Sequence, residues 1–351
     1  MNLSEIDEKP FVEFWDSHKE EIYAKLKENL PNDLTKEFDE MVTEYVHRRG
    51  KYGRPTLILL WAKLHGAKIE DALMPAATMQ MSEDWILVHD DIEDSNEFRR
   101  GAQSAHMKYG ISQSLNAADY LHIQNWKMAF KAQEKLKEDL GEEIANQYLE
   151  RFFDVISKTC EGQFYDMKLT ASKDITSFTL EDYFKSIQAK AGYYSVYGPM
   201  MLGAIIAGKD KAYVERIEKY GKSIGNAFQL KDDILDCTST QEELGKTIGN
   251  DILEGVKTPI LFVTVKNASR EDLETLKIVY AKDRADKTRE DVKTVLALFE
   301  KYGAYIYAKK LVDYLAQEAI DSFEEETKDL PEDDVKQLAR GAIKKMVVRK
   351  K

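Results

Sequence analysis

Two short segments carry carboxylates at a spacing that suits a hard cation. The first, DDIED, occupies residues 90–94, and the second, DDILD, occupies residues 232–236. On a helix the first and fifth positions of each share a face one turn apart. The second position lies about 100° round and joins from the side. Three carboxylates this close repel one another by roughly 0.2–0.5 kcal/mol per pair in an isolated helix, and a cation turns that cost into a binding site. Oxygen-only ligands suit Mg2+, which takes one or two carboxylates together with phosphate oxygens and waters. Chance supplies roughly 0.2 copies of DDxxD in a chain this rich in aspartate, so one copy says little and two say more.

Basic and amide side chains accompany both triads. Arg99 and Arg100 follow the first, in VHDDIEDSNEFRRG. Lys51 and Arg54 lie upstream in RRGKYGRP, and Lys190 lies in IQAKAG. Gln229 sits three residues before Asp232 on the same helix side, and Lys246 follows the second triad. Two acidic faces with several cations between them are what two diphosphates bridged by Mg2+ require.

The elements that position these groups read as helices. RPTLILLWAKLHGAK has Pro55 in a first turn and Gly66 at its end. PAATMQMSEDWILVHDDIED is expected to start near Pro75 and run about five turns. TLEDYFKSIQAKAGYYSVYG opens on a cap at Thr179 with acids behind it. YVERIEKYGKSIGNAFQLKDDILD is one long amphipathic pattern, and the stretch from residue 289 to 323 reads as two helices meeting near Gly303. The first twenty residues and GAIKKMVVRKK are weakly patterned, and DSFEEETKDLPEDD reads as a solvated helix end and connector. Strand-like alternation and 20–50-residue repeats are missing from the pattern. The expectation is an all-α fold, a single domain over residues 1–351 with its motif-bearing core at about 48–262.

Composition narrows the function class. The 351 residues are 43% hydrophobic and 32% charged, with a net charge of -12, which argues against nonspecific nucleic-acid binding. The N-terminus does not read as a secretory signal, and no apolar run is long enough to span a membrane. Two cysteines, Cys160 and Cys237, lack metal-type spacing. A cytoplasmic protein is expected.

Taken in order, GKYGRP, HDDIEDSNEFRRG, NAADYL, GQFYD and FQLKDDILD resemble the motifs of the all-trans polyprenyl diphosphate synthases, and within them those of archaeal-type geranylgeranyl diphosphate synthases. The resemblance implies a bundle of long helices around a deep central cavity, usually in a homodimer. It implies a short-chain prenyltransferase that condenses isopentenyl diphosphate with an allylic diphosphate and uses on the order of two or three Mg2+ ions per site. By the same resemblance, Asp90 and Asp94 bind metal with Asp91 in support, and Asp232 and Asp236 bind a further ion beside Asp233. Lys51, Arg54 and Arg100 hold isopentenyl diphosphate. Arg99, Lys190, Gln229 and Lys246 contact the allylic diphosphate.

Three positions depart from the family pattern. Glu83 stands where His or Gln usually meets isopentenyl diphosphate, and an ionised Glu there is expected to repel a diphosphate. Ala191 replaces a threonine, and Val256 replaces a lysine for which the adjacent Lys257 is a candidate substitute on the allylic side. The residues that set product length in the family fall on Trp85 and Ile86, with Met81 and Ser82 next. An aromatic at the first of these points to a C20 product, with C15 second. Two other readings remain open at the level of sequence: a terpene cyclase, and a noncatalytic subunit of a prenyl synthase complex.

Overall fold

The computed structural model describes residues 1–238 and 248–348. Among these residues the only strands are Phe98–Arg99 and Ala102–Gln103, a two-residue antiparallel ribbon. The rest is helix and connection, as the periodicity predicts.

Helix α1 spans Lys9–Lys27, α2 Lys36–Arg48, α3 Gly53–Leu64 and α4 Ile69–Glu93. The ribbon follows, then α5 at Ala105–Tyr109, α6 at Ile111–Leu140 and α7 at Glu142–Ala171. Next come α8 at Leu180–Ile187, a π-helical segment at Gln188–Tyr197, α9 at Gly198–Ile206 and α10 at Lys211–Thr238. The remaining helices are Asn250–Glu254, Pro259–Asn267, Arg270–Ala281, Arg289–Lys301, Ala304–Glu326 and Asp334–Val347.

Helix α3 is apolar on every side because it is central: residues 55–62 are all buried. It packs along α9, where Gly203 brings the two backbones together; a Cβ there would lie 2.5 Å from the Ile58 carbonyl oxygen. Trp61 of α3 donates its Nε1–H to the Tyr220 hydroxyl at 2.9 Å, and both rings meet Phe323 edge-on. That contact ties α3 and α10 to the helix Ala304–Glu326.

Three expectations are corrected. Helix α4 begins at Ile69, six residues before Pro75, which lies inside it. The proline forfeits one backbone hydrogen bond, but Ala72, Ala76 and Ala77 around it are fully buried, and that packing holds the extra turns. The weakly patterned termini are helical because they cover each other. Gly341 of the last helix sits against Asp7 and Phe11, and Lys344 Nζ donates to the Ile6 carbonyl. The acidic segment is a helix end at Glu326 and an exposed connector, as expected, and Glu324 and Glu332 within it both grip the buried Arg340 guanidinium. The single pattern opening at Thr179 changes character after Ile187. Its capping box with Asp182 forms as expected, but the chain widens into π geometry through Lys190.

Candidate active site

The C-terminal turn of α4 presents the first triad. Its central member, Asp91, is fully buried and already taken. It accepts the Tyr45 hydroxyl at 2.7 Å and the Arg99 Nε–H at 2.8 Å to one oxygen and 3.0 Å to the other. The Tyr45 oxygen in turn accepts the backbone N–H of Ala105, so α2, α4 and the start of α5 meet at one hydroxyl. Asp90 and Asp94 remain half-buried. Asp90 lies 3.4 Å from Arg99 and 3.6 Å from the Lys190 ammonium. Burial, with Asp90, Asp166 and Glu93 nearby, pushes the Asp94 carboxyl up to about 7 against the pull of Lys190.

Lys190 owes its position to the π-helical segment. A Cβ at Gly162 of α7 would lie 2.4 Å from the Lys190 backbone nitrogen, and one at Gly225 of α10 would lie 2.8 Å from Gly192. The two glycines let α7 and α10 close on the segment from both sides, and π geometry of this kind gathers at functional sites. Lys190 Nζ donates to Asp166 at 3.1 Å. Burial alone would lower its pKa, but Asp166, Asp90 and Asp94 outweigh burial and raise it, so the amine stays charged. Asp166 is the last residue of GQFYD; its motif is visible in the sequence, its contact with Lys190 is not.

The second triad, at the end of α10, repeats the arrangement. Asp233 is buried and accepts the Tyr183 hydroxyl at 2.7 Å and the Gln229 amide at 3.0 Å. Burial and its neighbours Asp232 and Asp236 push its carboxyl up to about 7 despite those donors. Asp236 accepts the backbone N–H of Asp251 at 3.0 Å, from the first turn of the short helix Asn250–Glu254. Lys287 caps the far end of that helix, donating to the Ile252 and Leu253 carbonyls at 2.9 and 2.8 Å. Asp232 is half-buried on the same turn. Gln229 is thus engaged with the second triad.

Two of the cations expected to hold isopentenyl diphosphate meet α4 about two turns before the first triad, at Glu83 and Asp84. Lys51 is exposed, in a turn anchored by Trp15 Nε1–H donating to the Lys51 carbonyl at 2.6 Å. Arg54 donates to Ser195 Oγ at 2.8 Å, lies over the Tyr194 ring at 4.6 Å, and pairs with Glu83 at 2.9 Å. Arg100 occupies a left-handed turn position, with φ 53°, followed by Gly101 at φ 80°. It reaches Asp84 at 2.8 Å, Glu83 at 3.3 Å and the Tyr45 carbonyl at 2.5 Å. Burial would raise the Glu83 pKa, but the two arginines hold it below the usual value. Asp84, buried beside them, is pushed up to about 6. Glu83 therefore stands in the site as an ionised, doubly paired carboxylate; Asp84 and the two tyrosines are the residues the spacing did not single out.

One expected allylic contact lies outside the described residues, and another falls elsewhere. Lys246 lies outside the described residues. Lys257 is buried, donates to the Gly255 carbonyl at 2.9 Å, and lies 5.4 Å over the Tyr280 ring. Burial, with Lys287 and Lys173 beside it, lowers its pKa to about 8. It points into this cluster, toward the Gly255 carbonyl and the Tyr280 ring. Trp85 is buried against α6, stacked 4.2 Å from His122, and donates to Asn125 Oδ1 at 3.3 Å. Ile86 is half-buried beside it. Met81 and Ser82 are fully buried one turn below, where the Ser82 and Tyr194 hydroxyls meet at 2.9 Å.

The donor set fits a hard divalent cation. All candidate ligands are carboxylates, and the raised pKa of Asp94 shows negative charge packed more densely than burial tolerates without a counterion. Among the described residues no three His, Cys, Asp or Glu side chains converge as a complete metal-binding group.

The model of the family described as Polyprenyl synthetase matches residues 35–299. The chain is 32% identical over 289 residues to the short chain isoprenyl diphosphate synthase of Methanothermobacter thermautotrophicus, covering 82% of this chain and 83% of that protein. It is 32% identical over 267 residues to the geranylgeranyl diphosphate synthase of Saccharolobus solfataricus, covering 75% and 77%. The solved geranylgeranyl pyrophosphate synthetase of Pyrococcus horikoshii superposes with a TM-score of 0.83 at 26% identity, covering 98% of this chain and 99% of that one.

Proposed function

We propose that this chain, which belongs to the polyprenyl synthetase family, is a Mg2+-dependent short-chain prenyltransferase. It joins isopentenyl diphosphate to an allylic diphosphate and makes geranylgeranyl diphosphate (C20) as its main product, with farnesyl diphosphate (C15) second. One observation carries the reading. Each triad has its middle aspartate locked by a tyrosine at 2.7 Å, while Asp90 faces the Lys190 ammonium at 3.6 Å. The relatives' names support the same activity.

Asp90 and Asp94 on one wall, and Asp232 and Asp236 on the other, would hold Mg2+. When bound, the ions neutralise charge developing on the departing diphosphate. Lys190 and Arg99, already beside Asp90, add fixed positive charge to the same region without needing to reorganise. Lys51, Arg54 and Arg100 would orient isopentenyl diphosphate so that its double bond faces the allylic carbon. The C–O bond to diphosphate breaks, the new C–C bond forms, and a proton leaves to the released diphosphate. No protein nucleophile is required.

The whole chain acts as one domain in this reading. A homodimer is supported by exposed apolar side chains on adjacent helices: Leu115, Ile123 and Phe130 on α6, and Phe153, Phe164 and Met167 on α7. No helix among the described residues is long and apolar enough to cross a membrane, and we place the enzyme in the cytoplasm.

The test is purified protein with radiolabelled isopentenyl diphosphate, dimethylallyl or farnesyl diphosphate, and Mg2+, with products resolved by chain length. Elongated diphosphates ending at C20 are expected, and absence of elongation at any substrate concentration overturns the reading. The pairing of Glu83 with Arg54 and Arg100 favours one second reading, a noncatalytic partner subunit. An inert protein that restores activity to a separate synthase would establish it.

A further inference from the structure

We infer that Glu83 is an internal competitor of isopentenyl diphosphate, occupying the guanidinium groups that the diphosphate must use. The inference rests on the proposed prenyltransferase activity. Its basis is the geometry of one buried corner. Glu83 sends one oxygen to Arg54 at 2.9 Å and the other to Arg100 at 3.3 Å. Its two oxygens thus bridge two arginines that come from different elements, α3 and the ribbon. A phosphate group binding both would bridge them in the same way.

Arg54 and Arg100 supply two positive charges to this corner, and Glu83 with Asp84 supplies two negative groups beside them. A diphosphate entering here meets a nearly balanced cluster instead of a cationic one. It must displace Glu83 from both guanidinium groups. The displaced carboxylate has little room to reach water, because the residue is 8% exposed. Its neighbours on α4 are Gln80 and Asp84, and across from it stand Tyr194 and Ser195 of the π-helical segment. None of these supplies a positive charge to replace the arginines. An unpaired buried carboxylate is costly, so the pair resists exchange.

The arrangement also serves a purpose before substrate binds. It keeps Arg54 and Arg100 ordered and close together, with Arg54 further fixed by Ser195 and the Tyr194 ring. The site is therefore organised but self-occupied. Isopentenyl diphosphate should saturate it only at high concentration, while the allylic side, built on Lys190 and the triads, is unaffected. Glu83 would then govern affinity for one substrate of the two.

Glu83→Gln keeps the size and removes the charge. It should lower KM for isopentenyl diphosphate by roughly tenfold or more, with KM for the allylic diphosphate unchanged. Glu83→His, which also removes the anion, should act in the same direction if the glutamine variant folds poorly; thermal melting reports folding for both. An unchanged KM overturns the inference. So does a raised KM, which would mean that Glu83 positions the arginines for substrate instead of competing with it. If the wild type shows no turnover, the activity falls but the inference is still tested. Calorimetric titration with inorganic pyrophosphate should then show tighter binding to Glu83→Gln than to the wild type, and equal or weaker binding sinks it.

Discussion

The Tyr183 hydroxyl donates to Asp233 at 2.7 Å across 50 residues of sequence. Tyr45 does the same for Asp91 at 2.7 Å. Each triad therefore divides its labour: the middle carboxylate is fixed by a tyrosine inside the protein, while Asp90 and Asp94 of the first triad and Asp232 of the second stay partly exposed. Removing the Tyr183 hydroxyl takes away a donor that stabilises the ionised Asp233, whose carboxyl is already pushed up to about 7 by burial. Tyr183→Phe should leave Asp233 largely protonated at neutral pH and let the end of α10 shift. We expect the Mg2+ concentration for half-maximal activity to rise roughly tenfold, in line with the loss of one charge-assisted hydrogen bond. A metal titration of the initial rate checks this, and an unchanged midpoint would detach Tyr183 from the metal site.

Gly50 lies where the Arg100 guanidinium passes. A Cβ there would come 2.9 Å from Arg100 Nη2 and 3.3 Å from Gln80. Arginine tips usually swing aside easily, but this one is pinned by Asp84, Glu83 and the Tyr45 carbonyl. Gly50→Ala should displace it and raise KM for isopentenyl diphosphate several-fold, about 1 kcal/mol of binding. The melting temperature should change little. Steady-state kinetics against each substrate separates this from a general loss of activity.

These two sites mark where sequence reading stops. The triads, the basic residues and the helices carrying them are legible because helical period fixes which residues share a face. What spacing cannot reveal is which carboxylate of a triad is spent inside the protein, since the partners of Asp91 and Asp233 come from 46 and 50 residues away. Glu83 shows the same limit. Its charge is visible and suggests repulsion of substrate, but its effect runs through two arginines that only the fold brings to it. The π geometry at Lys190 depends on Gly162 and Gly225, on two other helices, and carries no local signal. Pro75 misplaces the start of α4 because local propensity is overruled by the buried alanines around it.

His65, at the end of α3, should make the protein acid-labile. It is buried, packs edge-on against Tyr213, and neither ring nitrogen has a hydrogen-bond partner. Burial lowers its pKa to about 4, so the folded state binds fewer protons than the unfolded state between that value and the ordinary 6.5. Its contribution to stability is complete above pH 6.5, falls as the pH drops toward 4, and changes no further below that. The loss attributable to this residue is about 3 kcal/mol. Urea denaturation at pH 7 and pH 4.5 should show a smaller difference for His65→Gln than for the wild type. Equal differences would assign the acid sensitivity to other groups.

Trp85 is the last position to test, because it links the α4 packing to product length. Its ring fills the space between α4 and α6, held by His122 at 4.2 Å and by a hydrogen bond to Asn125. If the growing chain runs down α4 away from Asp90, it meets this ring after roughly one and a half turns of helix, about 7.5 Å along the axis. Trp85→Ala removes the obstruction and should shift products from C20 toward C25 and longer. It will also cost about 3 kcal/mol or more of stability, because a large buried side chain is lost, so the assay belongs well below the melting temperature. The split between the two effects is informative. A destabilised enzyme that still stops at C20 would show that Trp85 is core alone and move the floor to Met81 or Ser82, one turn deeper. There, Ser82 is already tied to the Tyr194 hydroxyl that stands over Arg54.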